Sequence, residues 1–561
     1  MRVPFVVLVL AAIWPGVVGA EELRFAILGD RTGSHQPGVY ERTIAEIDLL
    51  APDFVVTVGD HIEGYTEDRA VLAGEWDEYQ ALIAPLEGPF YICPGNHDIL
   101  NDVQAEVWRE RTGREENYAF DHGGVHFIIL DTGRWESSAE WLAHGDHRAW
   151  LEADLATHAG AALTLAVFHK PYWYHTLADG LADPLHEIFL RGGVDAVFNG
   201  HFHLYGTARY DGIVYTMVGS SGGAIEGVPE RGAFYHWVWA VVRDGTLTWA
   251  VISEDGVEAA DVVRVEDQKF FDRLDADYVR LSPLMCNEEP VEAGLACRLA
   301  LRNLPAGPPL RATVAWETGG NWTIEPPSLQ IDVPASETRE GVFRVARTGP
   351  FYPLPRVRFE YPYREGRSFT YESNLPALRR QEAARFDRAP EIDGRLEDAA
   401  WAEAGRTGHF GSPDGGACTI EPTEFFFGHD AEALYLGARC SQAGELVAQA
   451  VQRDGAVSRD DCVGYFLCPD DSARVVYQIY VNSAGIVFDQ HIVWVPPDRY
   501  EGEGSDWNGE FTVRTQRAGG VWTTEARIPY AALSTAPPAP GSAWRVNFRR
   551  KDAARGSAAD W

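Results

Sequence analysis

Between about residues 24 and 265, short β-branched and apolar runs alternate with longer stretches whose apolar positions recur at helical spacing, the pattern of an α/β domain. The runs at 24–28, 54–58, 90–93, 125–130, 163–168, 194–198 and 213–218 predict strands. The stretches 39–50, 68–86, 103–111 and 149–155 predict helices. A charged connector follows at about 267–277. The segment 283–378 then shows period-two alternation broken by Pro/Gly turns, as at 311–316 and 341–345, which predicts an Ig-like β-sandwich serving as a spacer. Beyond Leu378-Arg379-Arg380, residues 387–561 read as all-β again, with strands at 433–438, 475–480, 521–528 and 544–548. The expected fold class is multidomain: α/β over 21–265, followed by two β-sandwich domains.

Composition narrows the function classes. The chain of 561 residues is 45% hydrophobic and 12% aromatic, enough for several buried cores. Lys+Arg is 48 and Asp+Glu is 83, a net charge of −35 whose field repels nucleic-acid phosphates and argues against a general nucleic-acid binder. Met1-Arg2, an apolar run to about Val18, and Val18-Gly19-Ala20 before Glu21 have the make-up of a signal peptide cleaved after Ala20, with an uncleaved anchor as the alternative. No later stretch approaches the roughly 20 apolar residues of a transmembrane span. The expectation is a secreted or periplasmic protein, in which Cys286 with Cys297, Cys418 with Cys440 and Cys462 with Cys468 are the expected disulfides. Cys93, inside an apolar run, is expected as a buried thiol.

Five of the N-terminal runs end in residues that bind divalent metals: Gly29-Asp30, Gly59-Asp60, Gly95-Asn96-His97-Asp98, His169-Lys170 and Gly200-His201-Phe202-His203. The carboxyl ends of strands in α/β sheets converge on one crevice, and glycine beside a short polar side chain lets these loops turn sharply and approach closely. Hard carboxylates with imidazoles suit Mn, Fe or Zn, and two such ions roughly 3.5–4 Å apart activate water at neutral pH. Other histidines, among them His144, His147, His158 and His186, fall in helical or linking stretches and read as surface residues, while Asp131 reads either as lining the cleft or as capping a turn.

The order Asp, Gly-Asp, Gly-Asn-His-Asp, His, Gly-His-x-His resembles the calcineurin-like metallophosphoesterases, over about 24–265. The resemblance implies a four-layer α/β/β/α sandwich and a dimetal centre. In it Asp60 bridges two ions, Asn96, His169 and His201 complete one site, and Asp30 and His203 serve the other. It also implies catalytic roles for His97, as general acid beside the leaving oxygen, and for Asp98 and Glu63. Two departures from the family pattern matter. Thr32 stands where the family's Asp-x-His carries an imidazole ligand, leaving that site expected to be weaker. Gly64 stands where related phosphatases place a phosphate-binding arginine, and Arg31, Arg134 and Lys170 are the candidate substitutes. Glu63 also replaces the tyrosine ligand of purple acid phosphatases, so no tyrosinate–iron site is expected.

Residues from Ala389-Pro390-Glu391-Ile392-Asp393-Gly394-Arg395-Leu396 through Tyr480-Val481-Asn482 to Trp544-Arg545-Val546-Asn547-Phe548 resemble family 9-like carbohydrate-binding modules. This implies a glycan-binding β-sandwich, for which Trp494 and Trp507 are the candidate sugar platforms. The reading is a secreted dimetal phosphoesterase acting on a phosphate mono- or diester by metal-activated hydroxide and tethered to glycan. The alternative is a non-catalytic, metal-containing glycan-binding surface protein. A glycoside hydrolase is a third reading, for which no carboxylate pair stands out.

Overall fold

The structure, a computed structural model, describes residues 22–287, 292–418, 420–469, 474–495, 499–504, 507–553 and 555–561. The proposed signal sequence lies outside them, as does the side chain of Trp494. Two compact units divide at Leu274/Asp275. Among the described residues no helix is long and apolar enough to cross a membrane.

In the first unit the elements are, in order, β1 (Leu23–Leu28), α1 (Val39–Leu50), β2 (Phe54–Thr57), α2 (Arg69–Ile83), β3 (Phe90–Tyr91), α3 (Asp102–Thr112), β4 (Tyr118–His122) and β5 (Val125–Leu130). There follow α4 (Ser138–Ala143), α5 (His147–Thr157), β6 (Leu163–Phe168), α6 (Pro184–Gly192), β7 (Ala196–Asn199), β8 (Gly206–Tyr210), β9 (Ile213–Met217), β10 (His236–Arg243), β11 (Thr246–Ser253), β12 (Gly256–Ala259) and α7 (Val265–Asp272). One sheet has the order β12-β11-β10-β1-β2-β3 and the other β4-β5-β6-β7-β9-β8. Both are mixed. Strands β1, β2 and β3 run parallel, as do β5, β6, β7 and β9, while β10–β12, β4 and β8 pair antiparallel at the flanks.

Strand periodicity explains how both faces of each sheet are buried, because successive side chains point to opposite sides. Phe25 and Ile27 of β1 join Phe54, Phe127, Leu165 and Val238 in a core shared by both sheets, with Phe25 stacked on Phe54 at 4.9 Å between centroids. Ala26 and Leu28, the alternate residues, instead join Tyr40, Ile44, Trp76 and Trp108 from α1–α3. On the second sheet Ile128, Ala166 and Val197 meet Trp141, Leu151 and Phe189 from α4–α6. Helix starts follow capping chemistry: Asp68, Asn101 and Asp183 accept backbone N–H bonds from the first turns of α2, α3 and α6. The expected connector is in part helix α7, because Val265 and Phe270 are buried and Gln268 donates to the carbonyls of Tyr205 and Arg231.

The second unit is β-rich. Two four-stranded sheets have the orders Val279–Leu281, Glu292–Arg302, Thr338–Arg347, Trp322–Glu325 and Ser328–Val333, Leu310–Glu317, Arg356–Arg364, Arg367–Asn374. Further along, Thr423–His429, Ala433–Ser441, Val521–Pro529 and Thr512–Ala518 build one larger sheet and Val487–Val495, Val475–Asn482, Cys462–Cys468 and Arg545–Asp552 belong to another. Phe425, Leu436, Tyr465, Ile479, Trp522 and Phe548 fill a core common to these two larger sheets. The Asp393-Gly394-Arg395-Leu396 turn owes its shape to Glu525, a buried carboxylate accepting N–H bonds from Asp393, Gly394 and Leu396 at 2.7–2.8 Å. No disulfide is present among the described residues, contrary to expectation. For Cys462 and Cys468 the reason is plain: they sit at opposite ends of one extended strand, and at roughly 3.3 Å per residue the sulfurs cannot meet.

Candidate metal centre

The parallel strands of both sheets deliver their carboxyl ends to one region. Asp30 follows β1, Asp60 follows β2, Asn96 follows β3, His169 follows β6, and His201 and His203 follow β7. Ligand atoms of Asp60, His169 and His201 lie within 4.8 Å of one another. His169 Nε2 is 3.0 Å from Asp60 Oδ2, His203 Nε2 is 3.4 Å from Asp30 Oδ2, and the rings of His169 and His201 meet edge to face at 5.1 Å.

The supporting bonds aim these groups. His169 Nδ1–H donates to the Val58 carbonyl at 2.9 Å, leaving Nε2 for the centre, and His203 Nδ1–H donates to the Ala224 carbonyl, leaving its Nε2 toward Asp30. Asp30 Oδ2 accepts the His201 N–H at 2.7 Å, and Asp60 Oδ1 accepts the His97 N–H at 3.0 Å. Close approach needs glycine at two positions: a Cβ at Gly95 would stand 2.1 Å from Asp60 Oδ1, and one at Gly200 would stand 2.2 Å from Asp30 Oδ1. Asp60, His201 and His203 all adopt positive φ, a strained backbone retained where it re-aims ligands.

Do these residues fit a metal? Asp30 Oδ1, Asn96 Oδ1 and His169 Nε2 are buried polar atoms without a hydrogen-bond partner. Such orphans are costly and call for an explanation. A divalent cation satisfies all three, with donors of the carboxylate, amide and imidazole classes that borderline divalent ions prefer. The electrostatics agree. Burial raises the Asp30 carboxyl well above its usual range, with the Asp60 charge adding to it. Burial alone would depress His169, but Asp60 and Asp30 hold it up at about 9, while burial and the His169 charge push His201 down to about 3. The pair of buried carboxylates thus draws in positive charge, and His201 stays a neutral donor.

Other expected site residues are placed differently. Thr32 Oγ1 donates to the Asp60 carbonyl at 3.1 Å, so the hydroxyl secures the loop that carries Asp60. Both oxygens of Asp98 are engaged by the backbone N–H groups of Asp60, His61, Ile62 and Gly95 and by His61 Nδ1, which makes Asp98 the clasp of the two metal loops. His97 Nδ1–H donates to the Glu63 carbonyl at 2.7 Å, whereas the Glu63 carboxylate pairs with His35. The three candidate phosphate-binding cations are held elsewhere: Arg31 by the His61 carbonyl and Glu78, Arg134 by Asp102, and Lys170 by Glu136 and the Trp135 carbonyl. Asp131 caps a turn by accepting the Gly133 N–H at 2.9 Å. His186 is buried between Tyr215 and Asp211, not on the surface. Cys93 is a buried thiol, as expected.

Tyr65 is the site residue that sequence reasoning missed. Its hydroxyl accepts from Asn96 Nδ2, its ring meets that of His97 edge to face with centroids 4.4 Å apart, and it is 54% exposed at the rim. No local motif announces it.

The calcineurin-like phosphoesterase family model matches residues 23–205, a span holding every ligand just described. The first unit carries a calcineurin-like phosphoesterase domain. That domain is similar to purple acid phosphatase 18 of Arabidopsis thaliana, 26% identical over 40% of this chain and 55% of the relative. It is also similar to the serine/threonine-protein phosphatase CPPED1 of Bos taurus, 26% identical over 32% of this chain and 64% of the relative. The chain spans about half the length of the plant phosphatases it matches. A family 9 carbohydrate-binding module from Caldicellulosiruptor kristjanssonii in complex with cellotriose aligns with 32% of this chain and 81% of its own, at 17% identity and a TM-score of 0.24. The phosphoesterase domain and its phosphatase relatives support a metal-dependent phosphoester hydrolase.

Proposed function

We propose that the chain is a dimetal hydrolase of a phosphate mono- or diester, working outside the cytoplasm and held near its substrate by a glycan-binding C-terminal module. The observation that carries the hydrolase is the convergence of Asp30 Oδ1, Asn96 Oδ1 and His169 Nε2, three buried atoms from three strand ends without any hydrogen-bond partner. Asp60 would help hold both ions, Asn96, His169 and His201 would hold one of them, and Asp30 and His203 the other. When bound, the ions would supply an activated water and neutralise the phosphoryl oxygens. The three cores described above support the four-layer arrangement expected of such a domain.

The chain's own residues supply positioning and a proton. The Glu63 carbonyl fixes hydrogen on His97 Nδ1, so the remaining nitrogen, Nε2, is the one available to donate to a departing oxygen when the ring is cationic. Tyr65 packs edge to face against that ring from the rim, which limits how it can turn. Because Arg31, Arg134 and Lys170 are each paired with a carboxylate, phosphate charge would be met mainly by the metal ions themselves.

In the C-terminal module Trp507 is half-buried against Tyr477 and His491, at 4.9 and 6.3 Å between centroids, beside Arg453 bound bidentately to Asp489. Such an aromatic group supports sugar binding. The test is turnover of a chromogenic mono- and diester, with and without chelation and metal re-addition, beside mobility in gels containing soluble polysaccharide. Turnover abolished by chelator and restored by Mn or Zn, with retardation lost in Trp507→Ala, is expected. Stoichiometric metal without turnover on either ester would favour the non-catalytic reading.

A further inference from the structure

At the opposite end of the second sheet from the metal centre, Asp121, His126, Asp154 and His158 form a second group. Asp121 and His126 are directly opposed across the β4–β5 hairpin. Asp154 lies in the last turn of α5 and His158, four residues later, is its C-cap, so the two project from one helix face. His126 is fully buried; Asp154 is 13%, His158 31% and Asp121 63% exposed at the side chain.

The bonding pattern sorts the four residues into two roles. Asp154 takes one nitrogen of each ring: His126 Nε2 at 2.8 Å through Oδ2, and His158 Nδ1 at 2.9 Å through its backbone carbonyl and 3.3 Å through Oδ1. The other nitrogens both face Asp121, His126 Nδ1 at 2.8 Å from Oδ1 and His158 Nε2 at 4.0 Å from Oδ2. A carboxylate that orients imidazoles from behind while their second nitrogens converge on another carboxylate is the arrangement that supports metal-bound histidine. The ligand atoms of Asp121, His126 and His158 lie within 4.8 Å of one another. The rings are stacked, 3.8 Å apart and 14° from parallel, so a single ion requires the more exposed His158 to tilt out of the stack.

We propose that Asp121, His126 Nδ1 and His158 Nε2 form a second metal site, for a borderline divalent ion such as Zn, Co or Ni, which clamps the β4–β5 hairpin to the end of α5. Two imidazoles and one carboxylate match that metal class, and the exposed side leaves room for water as the remaining ligand. On binding, any proton on His126 Nδ1 or His158 Nε2 passes to solvent, while Asp154 keeps the two protons on the orienting side. The site stands apart from the phosphoesterase ligands and does not depend on the proposed activity.

The test is a zinc titration of the full chain by calorimetry and elemental analysis, comparing wild type with Asp121→Ala, at an exposed position, and His158→Ala, at a part-buried one, with thermal denaturation checking that both variants fold. Each variant is expected to bind one zinc fewer than wild type, with phosphoesterase turnover unchanged. Asp154→Asn is expected to keep the stoichiometry but weaken that zinc roughly tenfold. In the cobalt-loaded wild type, a visible absorption component should be present that both alanine variants lose. Equal zinc stoichiometry in wild type and the two alanine variants would overturn the proposal, as would cobalt spectra that do not differ.

Discussion

Asp60 is where backbone, charge and ligand requirements meet. Its φ of 58° turns the chain so that one carboxylate oxygen accepts the His97 N–H and the other stands 3.0 Å from His169 Nε2. Tyr65 acts on the same loop pair by accepting from Asn96 Nδ2, which turns the amide oxygen toward the centre. Tyr65→Phe keeps the ring and removes only that acceptor, so metal dissociation constants should rise roughly tenfold with folding unchanged, as read by metal titration and thermal denaturation. Equal affinity would remove Tyr65 from the ligand-orienting set. His236 has a different task. Its Nδ1–H donates to the Phe234 carbonyl and its Nε2 accepts the Gly219 N–H, so the folded state requires the neutral ring, and burial pushes its pKa down to about 4. The unfolded ring takes up a proton near pH 6.5, so stability is intact above that pH and declines as pH falls from about 6.5 to about 4, a loss on the order of 3 kcal/mol. In an acid titration by circular dichroism, His236→Gln should flatten that limb of the pH profile of the first unit.

At the scale of elements, the loops leaving β1, β2, β3, β6 and β7 were legible in the sequence because each is a short apolar run ending in glycine or a compact polar residue. Strands β5 and β6 match their expected limits because they are buried throughout and read as unbroken apolar runs, and helix α1 does because burial on one face gives it a helical period. What the sequence did not reveal depends on partners far away along the chain. Arg31, Arg134 and Lys170 looked available for phosphate, yet Glu78, Asp102 and Glu136 neutralise them from other elements, and no local pattern announces such pairing. Asp98 looked catalytic because it follows His97, but four backbone N–H groups and one imidazole converge on it. A comparable clasp holds the Asp393–Leu396 turn to Glu525. Glu525→Ala leaves three amides without their acceptor and should destabilise the second unit by about 3 kcal/mol or more in a denaturant titration, leaving the metal content of the first unit unchanged. A loss below about 0.5 kcal/mol would show that water replaces the carboxylate.

At the scale of the whole molecule, a chain carrying a net charge of −35 is proposed to attract and cleave an anionic ester. Local fields decide this. Two buried carboxylates, Asp30 and Asp60, with three imidazoles would recruit dipositive ions whose charge would dominate at contact distance, while repulsion from surface acids is screened within about 8–10 Å in physiological salt. The asymmetry expected from Thr32 also takes a definite form, because its hydroxyl is engaged by the Asp60 carbonyl, and the ion proposed to be held by Asp30 and His203 would have fewer side-chain ligands. That ion should be the first lost on dilution. The most direct test of the dimetal account is metal content by elemental analysis together with phosphoester turnover, for reconstituted wild type and Asp60→Asn. The account predicts that Asp60→Asn holds two ions fewer than wild type and has no turnover. Unchanged metal content, or turnover retained by the variant, would contradict it.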